Sequence, residues 1–183
     1  MANENAIDGK INANLNGLDN ILRGLMKDYK LRVGIIGTKA HAANHKDSNA
    51  TNAEIGSFHE FGTKNMPRRS FLLDPLEHNL DFTSSEMKPM RKVLFAQFFD
   101  KCAPQKFFYE LGAKAMAVID EAFNTHGWSG GAGWAPLSEA TLRHRMSKVK
   151  SKKKREELYH NHKILQDTGK MKNSISFKVL RVK

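Results

Sequence analysis

Covalent cross-linking is nearly ruled out for this chain, because of its 183 residues only Cys102 is a cysteine. A single cysteine excludes an internal disulfide and a zinc site built from paired cysteines, so Cys102 reads as a small half-buried residue near a helix end. Long apolar runs are missing too. No stretch approaches the ~18 to 20 uninterrupted apolar residues of a membrane helix. The start, Met1-Ala2-Asn3-Glu4, lacks the basic-then-apolar order of a signal peptide. The expectation is a soluble, cytosolic product. Acids are scarce: 19 Asp and Glu against 30 Lys and Arg leave a formal net charge of +11. Reactive arrangements are equally hard to find. The glycines of Gly127 to Gly133 have neither a preceding strand nor a following Lys-Ser/Thr, so they do not form a phosphate-cradling loop, and no Ser sits in a nucleophile elbow.

What is present is a chain that is 40% hydrophobic, enough for one compact domain over 1-183 or for a small domain with extended arms. Its charge is concentrated. From Glu139 to Lys183, fourteen Lys and Arg face four acids, a net of +10, which leaves the first 138 residues near neutral. Such asymmetry points to a polyanionic partner, since neutralising phosphates releases counterions without needing a particular base sequence. The basic connector spans 148-163, and Lys148, Lys150, Lys152, Lys153, Lys154 and Arg155 are its DNA-facing candidates. Lysine rather than arginine dominates there, which suits phosphate contact more than base readout.

Periodicity sets out the elements. Ile7, Ile11, Leu15, Leu18, Leu22, Leu25 and Met26 recur at helical spacing, so residues 1-30 form an amphipathic helix or arm. Leu31 to Gly37 reads as a strand, and Lys39 to Ala50 as a surface loop. Thr51-Asn52-Ala53-Glu54 has the spacing of a capping box, opening a helix that ends at Gly62, with Ile55, Phe58 and Phe61 on its apolar side. Met66-Pro67-Arg68-Arg69 is a turn, and Ser70 caps a further helix from Phe71. That pattern is interrupted between Thr83 and Pro89 and resumes from Val93 to Phe99. Pro104 opens the strongest helix, carried by Phe107, Phe108, Leu111, Ala115, Val118, Ile119, Ala122 and Phe123. His126 to Trp134 is a glycine-rich loop anchored by its two Trp. Ser138 caps a helix through Lys148, the run Lys148 to Arg155 is a mobile connector that becomes helical when bound, and Ser174 to Val182 alternates as a half-buried strand. The fold class is α+β, a small sheet packed with several helices.

Three side-chain groups invite a chemical reading. Asp167-Thr168-Gly169 shares a string with aspartic proteases, but Gln166 before it and Lys170 after it favour a turn in which Asp167 or Thr168 caps and Gly169 supplies positive φ. His160 and His162 would share one side of a strand without a third metal ligand, and they read as part of a solvated basic segment. His59 and Glu60, adjacent on a helix, point about 100° apart and do not form an acid-base pair. No catalytic residue, metal or cofactor is expected.

Three segments together resemble tailed-bacteriophage virion morphogenesis and tail-completion proteins. They are Ala53 to Thr63 (with His59-Glu60-Phe61-Gly62-Thr63) followed by Met66-Pro67-Arg68-Arg69-Ser70-Phe71-Leu72; Trp134-Ala135-Pro136-Leu137-Ser138 with Thr141 and Arg143; and Ile164 to Met171 with Ser174-Ile175. In many such proteins the piece ending in Ser-Ile comes before the His-Glu-Phe-Gly piece, whereas here it follows. The resemblance implies a non-enzymatic α+β subunit that forms a homo-oligomeric, hexameric ring at the head–tail neck, assembled in the host cytoplasm beside other neck and tail proteins and packaged double-stranded DNA, with no membrane partner. His59, Glu60, Phe61, Arg68, Arg69 and Phe71 are then the expected subunit interface, since guanidinium groups beside an aromatic make good interfacial anchors. A cytosolic nucleic-acid-binding regulator is the alternative that the same basic charge allows.

Overall fold

A computed structural model describes residues 28–41, 49–80, 88, 92, 105–128, 130–131 and 133–182. The expected N-terminal helix lies outside the described residues apart from its last three positions. So do residues 42–48 of the loop, Thr83 to Ser85, Pro89, Val93 to Phe99 and Cys102. Among the described residues the protein is α+β, with two antiparallel strands and six α-helices. Strand β1 is Tyr29–Ile35 and strand β2 is Ile175–Arg181. The helices are α1 (Asn52–Phe61), α2 (Leu73–Asn79), α3 (Gln105–Thr125), α4 (Glu139–Ser147), α5 (Lys152–His160) and α6 (Lys170–Ser174).

Local chemistry explains most of these boundaries. Thr51 accepts from the Glu54 amide while the Glu54 carboxylate accepts from the Thr51 amide, so the expected capping box closes α1 at its start. Ser138 caps α4 by accepting from the Thr141 amide at 3.3 Å. Strand β1 begins earlier than expected: Tyr29 and Lys30 belong to it, and exposed and partly buried residues alternate from Tyr29 to Val33. A second correction concerns the basic segment. The stretch from Lys152 is already helical in the free chain, because Lys, Arg, Glu and Leu all favour the helix, and Ser151 supplies a non-helical entry residue.

The chain divides into two compact units, one of Met1–Arg32, Phe82–Gly112 and Lys178–Lys183, the other of Val33–Asp81 and Ala113–Phe177. In the first, Tyr29 stacks on Phe108 at 5.8 Å between ring centroids, Phe107 meets Phe108 edge-on, and the Val182 amide donates to the Asp28 carbonyl. In the second, a core of Phe71, Ile119, Ala122, Phe123, Trp134, Ile164, Leu165, Met171 and Ile175 is buried, with Val33, Ile35, Ile55, Leu72 and Leu76 packed against it. Phe123 is its centre, fully buried, 5.6 Å from the Phe71 ring and 5.4 Å from Trp134. Helix α1 packs on α6, and α4 on α5.

The expected apolar side of α1 needs correction. Ile55 does pack on the core, but Phe58 and Phe61 are 44% and 66% exposed. The buried positions are Asn52, Gly56 and Glu60, which recur every fourth residue. At Gly56 a Cβ would stand 2.5 Å from Cδ1 of Ile35, so the missing side chain is what lets α1 approach β1 there.

Candidate functional site

The site grows from the end of α1. Gly62, at φ 75° and ψ 171°, reverses the chain in a backbone region open essentially to glycine alone. Thr63 and Met66 then exchange backbone hydrogen bonds, closing a tight turn. The returning chain satisfies carbonyls that the helix end leaves without partners: the Arg69 amide donates to the His59 carbonyl at 2.8 Å, and Arg68 Nε donates to the Glu60 carbonyl at 3.1 Å. Arg68 also pairs with Asp74.

This return delivers Ser70 to Leu73 onto the Glu60 carboxylate, which is buried. Its Oε2 accepts from the amides of Phe71 and Leu72, each at 3.0 Å, and its Oε1 accepts from the Leu73 amide at 3.0 Å and from the Ser70 hydroxyl. Ser70 Oγ in turn accepts from the Asp74 amide, 2.9 Å away. An anion therefore sits on the free amides that open α2, where both the donors and the helix dipole favour negative charge. The expected Ser70 cap is thus corrected: the helix begins two residues after Phe71 with Leu72 at its N-cap position, and Ser70 serves only the Asp74 amide while Glu60 takes the amides before it.

The second segment docks on the first through Arg69 and Trp134. Arg69 donates from Nε to the Ala135 carbonyl and from Nη2 to the Pro136 carbonyl, both at 2.8 Å, while Trp134 Nε1 donates to the Ser70 carbonyl at 2.8 Å. The third segment joins through Gln166, whose amide nitrogen donates to the Phe123 carbonyl near the end of α3, and through Asp167, which lies 3.5 Å from Nε of Arg145. Asp167 therefore balances a cation rather than capping the turn; Thr168 accepts from the Lys170 amide, and Gly169 holds φ 69° as expected.

Where the three segments meet, they wall a cavity of about 570 Å³. Ile55, His59, Met66, Pro67 and Arg69 come from the first segment or its helix, Leu137, Ser138, Thr141 and Arg145 from the second and α4, and Leu165, Asp167 and Lys170 from the third. The electrostatics are lopsided. Burial and the nearby guanidinium groups of Arg69 and Arg145 press the His59 imidazole down to about 4, so it is neutral at neutral pH. Burial, and then Arg145, also lower Arg69 from the ordinary arginine value. His59 Nδ1 is buried without a hydrogen-bond partner among the described residues.

Of the residues expected at a subunit interface, Glu60, Arg69 and Phe71 are corrected: all three are buried and bound inside the unit, at 4%, 5% and 3% exposure. His59 is partly buried in the cavity wall, and only Phe61 and Arg68 face solvent. Lys148, Lys150, Lys152, Lys153, Lys154 and Arg155 are all exposed, the last four forming the first turn of α5. His160 ends α5 and His162 lies in the loop beyond it, donating from Nδ1 to the Tyr159 carbonyl, so the expected shared strand side does not form. Among the described residues no group of three or more His, Cys, Asp or Glu is placed to hold a metal ion.

Arg145 was not singled out by sequence. Its neighbours Thr141 and Arg143 belonged to a recognised segment, and the four-residue step from Thr141 to Arg145 was the signal that it shares their helix. Comparison of the chain with protein-family models, with curated proteins and with solved structures finds no match.

Proposed function

We propose that this chain is a structural subunit of a tailed-phage virion, a neck or tail-completion component whose copies close a ring around the DNA channel. One observation carries the reading: the three separate segments that resemble tail-completion proteins meet in one core, Phe71 from the first, Trp134 from the second and Ile164, Leu165, Met171 and Ile175 from the third, and together wall one cavity. Residues spent on joining distant parts of one subunit are what a shared architecture would retain. Two outward features serve the assembly. Phe58 and Phe61, one turn apart on α1, offer an apolar patch for a neighbouring copy. The first turn of α5 offers Lys152, Lys153, Lys154 and Arg155 with no acid among them, an arrangement that the helix dipole disfavours until an anion approaches. Packaged DNA, bound without sequence preference, is that anion.

Negative-stain electron microscopy of the purified chain, with mass measured by light scattering, tests the reading. Closed rings are expected. A monodisperse monomer or simple dimer that binds a particular DNA sequence would replace it with the regulator reading.

A further inference from the structure

The cavity beneath the three-segment junction has properties that ring assembly and DNA contact leave unexplained. Arg69 is buried there with its guanidinium donating to two neutral carbonyls, and no carboxylate pairs with it among the described residues. Neutral partners satisfy its hydrogen bonds without cancelling its charge, which is a costly state for a buried cation. Arg145 and Lys170 add two further cations to the walls, against the single carboxylate of Asp167, itself half-exposed and paired with Arg145. His144 also lines the cavity, as does His59, whose buried Nδ1 has no hydrogen-bond partner among the described residues. Apolar side chains, Ile55, Met66, Pro67, Leu137 and Leu165, line much of the rest, with Asn65, Ser138, Thr141 and Thr168 as neutral polar groups among them.

We infer that this cavity is a docking site for a carboxylate carried on a short extended peptide of a partner protein, with an apolar residue beside it. Charge complementarity selects the anion, for the cavity holds more positive than negative groups and offers the guanidinium groups that carboxylates bind best. The apolar walls select what the anion is attached to, since a phosphate of a nucleic acid keeps its hydration and would favour the open lysines of α5. A volume of about 570 Å³ falls within the ~300 to 1,000 Å³ of small-molecule sites, far more than one carboxylate fills, and takes two or three residues. A carboxylate seated here would meet Arg69 and Arg145 and stabilise a proton on His59. The inference does not depend on the virion reading: a chain that forms rings but ignores the peptide, or binds the peptide without forming rings, separates the two.

The test uses the full chain with labelled histidine, followed by nuclear magnetic resonance while acetyl-Leu-Glu-Leu-amide is added, with acetyl-Leu-Gln-Leu-amide, inorganic phosphate and a short DNA duplex as separate arms. Faced by Arg69, His144, Arg145, Lys170 and Asp167, His59 titrates near 4 in the free chain. The expected result is that the glutamate peptide moves the His59 signal and raises its titration midpoint by a unit or more. Binding should be at least tenfold weaker for the glutamine peptide and for the Arg145→Gln chain. The inference is overturned if His59 ignores millimolar glutamate peptide, if both peptides bind alike, or if phosphate or duplex binds there as tightly. Should Arg145→Gln not fold, the two peptides on the unaltered chain still decide.

Discussion

Glu60 is the residue on which the second unit turns. Four donors converge on its two oxygens, three of them consecutive backbone amides. Glu60→Gln keeps the shape but replaces one acceptor oxygen by an NH₂ group that faces donors. We expect a loss of about 2 to 3 kcal/mol, read as a lower urea midpoint with unchanged slope; a midpoint within error of the unaltered chain would show that water, not Glu60, serves those amides. His59 makes a different kind of contribution. Its folded value of about 4 lies below the 6.5 of an unperturbed imidazole. The folded form refuses a proton that the unfolded chain accepts. The stabilisation is therefore complete above pH 6.5 and is lost as pH falls towards 4, by at most about 3 kcal/mol. Denaturation at pH 7, 5.5 and 4 checks this: His59→Gln should flatten that part of the pH profile, and a mutant with the same slope would place the titration elsewhere.

At the scale of the element, the turn that follows α1 is held by one glycine. A Cβ on Gly62 would stand 3.0 Å from the Arg68 amide nitrogen and 3.2 Å from the Met66 carbonyl oxygen, and these are backbone atoms that cannot swing aside. With φ at 75° added, Gly62→Ala should cost about 1 to 3 kcal/mol, measured by thermal denaturation; an unchanged midpoint would mean the turn relaxes freely. Helix α5 carries a prediction of binding rather than stability. Replacing Lys150, Lys152, Lys153 and Lys154 by Gln should flatten the dependence of log affinity for DNA on log salt, by about 0.9 for each phosphate that is no longer neutralised. Equal slopes before and after would turn this helix towards an acidic protein instead. Helices with chemical punctuation were legible in the sequence: the Thr51–Glu54 box, the Ser138 cap and the long apolar stripe of α3 fall where spacing puts them. The buried side of α1 was not. Apolar periodicity selected Phe58 and Phe61, whereas Glu60 is drawn inside by amides eleven to thirteen residues further on, which no local pattern announces. Arg69 was misread for the same reason, its acceptors lying 66 and 67 residues away. Helix α5 lacks an apolar stripe, so nothing but propensity marked it.

At the scale of the whole molecule, the proposed ring would have to close through outward residues. Arg69 holds two segments together from within, so its replacement would test folding, not association. Phe58→Ser with Phe61→Ser touches only exposed side chains, and should leave circular dichroism unchanged while abolishing rings in light scattering. If the double variant assembles as before, the contact lies on another face. The convergence of three distant segments also bears on how a newly made chain matures. Phe71 is synthesised a hundred residues before Met171, and Ile175 later still, yet all three share one core. At roughly 5 to 20 residues per second, the first segment waits about 5 to 20 seconds for the last. During that interval Glu60 can already seat the Ser70 turn, but Phe71 and Phe123 lack the floor that Met171 and Ile175 supply. Chains interrupted before this point would expose that apolar surface to proteases, so the order of translation itself marks truncated copies for removal.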